Sequence, residues 1–265
     1  MLVSEYADDI FQHMIEVERK LTPNPGYMEH QPELRQWHVR AVLVDWLVQV
    51  HQRFRLLPET LYLAVNLVDR FLSKKAITLP KLQLVGASAL FIAAKYEEVI
   101  APSVREMLYM VDGAYTADEL LKAERFMVHL LGFDLGWPGP MNFLRRVSKA
   151  DDYDIPTRTL AKYLLETALL DERFIGITPS KQAAAACRVA RTMLHKGDWT
   201  AQHAELSGYS AEQLNRTCQL FVDVLRAPPR RTKAVFNKYA DKCFLHVSTF
   251  AAQWISTRYA KAVPA

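Results

Sequence analysis

Two stretches of this sequence follow one plan and stand 94 residues apart: "YTADELLKAERFMVHLL" from Tyr115 and "YSAEQLNRTCQLFVDVL" from Tyr209. Each opens with a hydroxyl residue followed three positions later by Glu or Gln, Thr116 with Glu119 and Ser210 with Gln213, ahead of an apolar stripe. That spacing is a capping box, in which side chain and backbone at a helix N-terminus satisfy each other's orphan N–H groups. The apolar segment "KLQLVGASALFIAAKYEE" from Lys81 has a counterpart 99 residues later in "SKQAAAACRVARTML". Two helical bundles of nearly equal length, five helices each, account for both pairs, and a chance likeness between amphipathic helices is the alternative.

The periodicity elsewhere agrees with an all-α fold. Leu, Ala, Glu, Lys and Arg recur at spacings of three and four, glycines number only 9, and alternating β-type stretches are few. The opening "SEYADDIFQHMIEVERKL" has Ser4 as a candidate N-cap, early acids and late Arg19 and Lys20, and one stripe of Tyr6, Ile10, Met14 and Val17. "TPNPGYMEHQP" breaks it. Helices are then predicted over Glu33–Leu57, Pro58–Ser73, Pro80–Val99, Ser103–Met110 and Thr116–Leu131. "GFDLGWPGP", residues 132–140, gathers glycine and proline and is the natural joint between two domains, each of which has enough apolar material for a core.

The formal charge of +4 is a C-terminal feature, since residues 230–265 hold seven basic side chains and one acid. Such a tail marks nucleic-acid binding or a solvated helix face, of which the second is commoner. Cys187, Cys218 and Cys243 stand far apart in no metal-binding spacing, which argues against a disulfide framework or zinc and for a reducing compartment. Apolar runs fall short of a bilayer span, and no secretory signal pattern opens the chain. The chain begins almost directly in an amphipathic helix, so a regulatory leader is not visible.

Lys95 raises the sharpest question, because it interrupts "ALFIAAKYEEV", a segment apolar on nearly every side. A buried ammonium there needs a partner, or must snorkel past Phe91 and Ile92 to water.

Taken together, "VRAVLVDWLVQV", "LPETLYLAVNLVDRFL", "KLQLVGASALFIAAKYEE" and "YTADELLKAERFMVHLLGFDL" resemble the cyclin box in order and spacing. The second half, with "FLRRVSKADDYDIPTRTLAKYLLE" and "PSKQAAAA", is similar to that of fungal B-type mitotic cyclins. The resemblance implies two tandem five-helix cyclin folds with an N-terminal helix and linker at 1–25, the boxes at 26–135 and 136–230, and a helical extension at 231–265. It implies a non-catalytic subunit, without cofactor, that binds and activates a cyclin-dependent kinase at mitotic entry, in nucleus and cytoplasm.

Residue roles follow from the same resemblance. Lys95 and Glu124 would reach across to the kinase, within a surface formed by Tyr6, Ile10, Ile92, Tyr96, Glu97, Val128 and Phe133; core packing is the competing assignment for Val128 and Phe133. Until a partner docks, the helix end and the neighbouring Glu97 and Glu98 would keep Lys95 charged and solvated. Arg40 and Asp69 would form a buried pair between the first and second helices of the box. Val39, Val42, Leu43, Trp46, Gln49, Leu82 and Gln83 would form a shallow patch docking short Arg-x-Leu-type segments of substrates and inhibitors, although Val42 and Leu43 equally suit the core. Val39 stands where many cyclins carry methionine, which leaves the depth of that patch open. Arg145, Arg158 and Lys162 match a cationic pocket for phosphorylated proteins, with ordinary solvated charge as the alternative. "RAVL" at Arg40 matches a minimal degradation pattern but lies inside a predicted core helix.

Rival classes fare poorly. No Gly-rich phosphate loop, GxSxG or HExxH motif is present, and the histidines do not cluster at ligand spacing. A nucleic-acid-binding adaptor of the TFIIB type also uses tandem cyclin folds, but the zinc ribbon and broad basic face expected there are missing.

Overall fold

The computed structural model describes residues 4–227 and 233–259. Thirteen α-helices joined by short turns and 3-10 segments make up these residues, without β-strand, in two compact units that divide at Gly139 and Pro140. The first unit also takes in Ile175–Thr178.

In the first unit, α1 (Ala7–Lys20) carries Asp8 and Asp9 in its first turn and Arg19 and Lys20 in its last, which suits the helix dipole. The expected cap at Ser4 is corrected. A 3-10 turn over Ser4–Tyr6 precedes the helix, and the cap position falls on Tyr6 without a side-chain cap bond. Helix α2 (Trp37–Phe54) starts later than the predicted Glu33, because Arg35 takes a positive φ and Gln36 is extended, and it ends where Arg55 turns left-handed.

Helix α3 (Pro58–Lys74) begins on proline, whose missing N–H costs nothing there. Its cap position, Leu57, offers no side-chain oxygen. The carboxylate of Glu98, just past the end of α4 (Leu82–Glu97), supplies one instead, accepting from the Leu57 N–H at 2.7 Å and from the Thr60 hydroxyl. Helix α4 is the centre of the unit: nearly every side chain from Val85 to Ala94 is buried, and α2, α3 and α6 pack around it. Helices α5 (Val104–Met110) and α6 (Ala117–Leu130) complete five after α1, each opened by a capping box, Ser103 with Glu106 and Thr116 with Glu119.

The second unit repeats the count with α7 (Pro140–Val147), α8 (Ile155–Leu169), α9 (Pro179–Met193), α10 (Ala201–Ser207) and α11 (Ala211–Arg226). The predicted box at Ser210 and Gln213 caps α11. Alanine-rich α9 is its buried centre, flanked by α7, α8 and α11. Two further helices, α12 (Ala234–Tyr239) and α13 (Val247–Tyr259), pack on α8.

The basic residues of the C-terminal stretch do not share one environment. The Lys238 side chain is only 7% exposed, with Nζ 2.7 and 2.9 Å from the two carboxylate oxygens of Glu166 on α8, and the Tyr239 hydroxyl donates to the same carboxylate at 2.8 Å. Arg258 stacks over Trp254; Arg230, Arg231 and Lys261 lie outside the described residues. Burial pushes the Cys187 thiol up to about 12 and that of Cys218 to about 11, so neither is a nucleophile at neutral pH. No helix among the described residues is long and apolar enough to cross a membrane.

Candidate functional site

Lys95 stands in the last turn of α4, where its side chain is 45% exposed rather than buried. Its ammonium lies 2.7 Å from Glu124 Oε1 on α6 and 3.9 Å from the centroid of the Phe91 ring beneath it. Charge, hydrogen bond and ring face therefore all act on the same cation. Solvent reaches Lys95 as expected, but the acid that pairs with it is Glu124 on α6 and not a sequence neighbour. Glu98 is committed to capping α3, and burial together with the charges of Glu59 and Glu98 raises the pKa of half-buried Glu97. The residue that answers Lys95 is the one expected to work beside it.

Of the other residues assigned to this surface, Tyr6, Ile10, Tyr96 and Phe133 are exposed, and Glu97 and Val128 are half-buried. Phe133 is 65% exposed at a backbone φ of 61°, its ring held edge-on to His129 at 5.1 Å. An aromatic side chain in left-handed backbone and in water is a placement that core packing does not explain. Ile92 is a correction: at 3% exposure it belongs to the core of α4.

The first unit also holds a buried polar cluster. Arg40 on α2 donates from Nε to Asp69 Oδ1 and from Nη2 to Oδ2, both at 2.7 Å, and the Tyr27 hydroxyl donates to Oδ1 at 2.9 Å. Burial alone would lower the pKa of Arg40, but the Asp69 charge and its two hydrogen bonds reverse this and raise it. Burial foremost, then the Asp69 charge, pushes Tyr27 upward, so its hydroxyl keeps its proton and remains a donor. The three groups bind the linker before α2 to α2 and α3. "RAVL" accordingly starts on a buried arginine.

On another part of the first unit, α2 and the start of α4 form an open apolar groove of about 440 Å³, lined by His38, Val39, Val42, Leu43, Trp46, Leu79, Leu82 and Gln83. Six of the seven expected residues are brought together here. Leu43 and Leu82 are buried and form its floor, while Val42 is 55% exposed. Gln49 is the exception: it is exposed, lies off the lining, and donates to Asp45 at 3.0 Å. His38 was legible as the preceding turn of the Val42 and Trp46 face, whereas Leu79 comes from a 3-10 turn that no periodicity marks. Gly86 sets the floor, since a Cβ there would fall 2.7 Å from Leu43 Cδ1. Gly86→Ala is therefore expected to displace Leu43 at a cost of about 1–3 kcal/mol, measurable by urea unfolding.

In the second unit, Arg158 and Lys162 occupy successive turns of one face of α8, both half-buried, and Arg145 is exposed on α7. Nearby in sequence, a network unforeseen from the residues ties Arg191 to Asp151 and to the Lys196 and Asp198 carbonyls, with His203 Nε2 3.2 Å from Asp151.

Comparison with known proteins decides the family. The model of the cyclin N-terminal domain matches residues 9–136, and that of the cyclin C-terminal domain matches residues 138–253. The chain belongs to the cyclin family. Among its relatives, G2/mitotic-specific cyclin-4 of Candida albicans is 52% identical over 253 residues, covering 96% of this cyclin and 52% of the relative. G2/mitotic-specific cyclin cdc13 of Schizosaccharomyces pombe is 51% identical over 255 residues, again covering 96% of this chain and 52% of that protein. This cyclin thus spans about half the length of the curated relatives it matches. A viral cyclin from herpesvirus saimiri shares the fold with a TM-score of 0.72 at 22% identity, over 81% of this chain and 96% of that one. A chain of the yeast RNA Pol II CTD kinase CTDK-1 complex matches at a TM-score of 0.62 and 14% identity, over 86% and 80% of the two chains. The all-α, tandem cyclin fold expected from the sequence is thereby established for this cyclin, as is its kinship with fungal G2/mitotic cyclins.

Proposed function

We propose that this cyclin is the kinase-binding core of a mitotic regulator, a non-catalytic subunit that activates a cyclin-dependent kinase at the G2/M transition. The observation that carries the reading is the Lys95–Glu124 pair at 2.7 Å, an exposed lysine on a half-buried glutamate drawn from two packed helices, with Tyr96 and Phe133 exposed on the same unit. Aromatic anchors beside charged groups that can be desolvated are the composition of a protein–protein hot spot.

The mechanism is a shift of population. Kinases require an ion pair between a strand lysine and a glutamate on a mobile helix, together with an ordered activation loop. A rigid surface that binds the inward position of that helix more tightly than the outward one raises the active fraction by the difference in affinity, and it needs no chemistry of its own. Bound to the kinase, Lys95 and Glu124 would exchange part of their mutual bond for charge-assisted bonds to it. Substrates and inhibitors with short docking segments would occupy the apolar groove, and phosphorylated partners would meet Arg158 and Lys162, with Arg145 as a further cation.

Mixing the chain with purified cyclin-dependent kinase tests the proposal. Phosphorylation of a histone-type substrate is expected to rise strongly over kinase alone, and equal rates with and without the chain would defeat the reading. Burial of Lys238 against Glu166 removes one cation from the C-terminal stretch and gives no support to a nucleic-acid adaptor.

A further inference from the structure

The approach to α8 carries two features that the kinase surface and the groove leave unused. Asp152 and Tyr153 are consecutive non-glycine residues at positive φ, 46° and 59°. Such backbone costs of order 1–3 kcal/mol per residue, and it persists only where the surroundings impose it. Here it sets the half-exposed Tyr153 ring out on the surface, two positions before Ile155, which is 68% exposed in the first turn of the helix. Between them Asp154 is fixed, its carboxylate accepting from the Thr157 N–H and hydroxyl and from Lys196 Nζ. The apolar pair is therefore presented by a braced segment.

Its neighbours along the helix are cations. Ile155, Arg158 and Lys162 stand at i, i+3 and i+7, one stripe of α8. The Arg158 guanidinium lies 5.7 Å from the Tyr153 ring centroid, and its buried Nε has no hydrogen-bond partner among the described residues. With the guanidinium over the ring, an aromatic face that a nucleic-acid base could stack on is already taken. What the stripe offers is N–H donors to an anion at one end and an apolar contact at the other.

We infer that Tyr153 and Ile155 form a specificity element that selects phosphorylated peptide segments carrying an apolar side chain about two residues from the phosphate. The inference rests on the reading of Arg158 and Lys162 as a phosphate site. Helix geometry sets the spacing. The midpoint of Arg158 and Lys162 lies five positions beyond Ile155, about 7.5 Å along the axis at roughly 1.5 Å per residue. An extended peptide advances about 3.3 Å per residue, so two residues cover that distance. A phosphate at neutral pH presents nearly two negative charges and three acceptor oxygens, which match the two cations.

The test is fluorescence anisotropy on the 265-residue chain, with alanine-rich peptides that carry one phosphothreonine and a leucine moved stepwise through four positions on either side. Affinity is expected to peak with leucine two positions away on one side. Ile155→Ser, and Tyr153→Asn, in which asparagine tolerates positive φ, are each expected to flatten that peak by about fivefold to tenfold. The phosphopeptide without leucine should bind the unsubstituted chain and Ile155→Ser alike, because that substitution leaves both cations untouched, whereas Tyr153→Asn also removes the ring beside Arg158 and its leucine profile is read against its own leucine-free baseline. A flat profile in the unsubstituted chain, or a peak that survives both substitutions, overturns the inference while leaving the phosphate site intact. Absence of any phosphate-dependent binding overturns both.

Discussion

Arg40→Ala is expected to destabilise the first unit by about 3–5 kcal/mol, more than the loss of any exposed side chain of the proposed kinase surface. Arg40 and Asp69 are 4% and 5% exposed, so the alanine leaves a carboxylate in apolar surroundings with only the Tyr27 hydroxyl to stabilise it. Asp69→Ala should be comparably damaging, because it removes two charge-assisted hydrogen bonds from Arg40 and takes the carboxylate acceptor from Tyr27. The pair itself adds little net stability, since desolvation of two ions offsets most of their attraction. Arg40→Met combined with Asp69→Leu and Tyr27→Phe should therefore recover most of the loss. Urea unfolding followed by circular dichroism measures all of these. A triple variant no better than Arg40→Ala would show that the cluster contributes stability in its own right.

Lys95→Ala with Glu124→Ala is expected to have the opposite profile, with little change in stability and a large loss of kinase activation. Lys95 is nearly half-exposed, and exposed ion pairs contribute about 0.2–1 kcal/mol to folding. A charge-assisted hydrogen bond to a partner contributes roughly 1.5–3 kcal/mol, equivalent to roughly tenfold to a hundredfold in affinity. The decisive variant is the exchange Lys95→Glu with Glu124→Lys. It preserves attraction within the chain but presents each charge to the kinase with its sign reversed. If the pair serves only to fasten α4 to α6, the exchanged chain activates the kinase normally; if the kinase reads it, activation stays low. Titrating kinase activity against each variant separates the two.

How much of this was legible in the sequence depended on the range of the interaction. Helix existence was readable through the first half, and so were the capping boxes at Thr116 and Ser210, because caps are local chemistry written within four residues. The box at Ser103 and Glu106 carries the same signature and could have been read the same way. Helix starts failed where the backbone departs from the periodic pattern, as at Arg35 and before α1, and the trans cap from Glu98 spans a separation that no local rule sees.

The site divides along the same line. Helical spacing brought Val39, Val42, Leu43 and Trp46 onto one face of α2, but it could not tell which of them form the floor of the groove and which its rim. Ile92 came to the surface list from the resemblance, and its own sequence could not check it, because α4 is apolar on every side and burial there is decided by the helices around it. Lys95 and Glu124 were expected to act together on a partner. That they bond to each other within the free chain follows from the packing of α4 on α6, which sequence separation conceals.

Glu166 is to the second unit what Asp69 is to the first: an acid on the second of five helices, inside the protein, held by one cation and one tyrosine hydroxyl. The two borrow their counter-charge from opposite directions along the chain. Asp69 draws on α2, a member of its own bundle, whereas Glu166 draws on α12, which follows the fifth helix of its bundle. A fragment ending at Arg226 would carry every helix of the repeat and yet lay open the face of α8 that α12 and α13 cover, Glu166 included. Autonomy of the second half therefore begins one helix later than its architecture suggests.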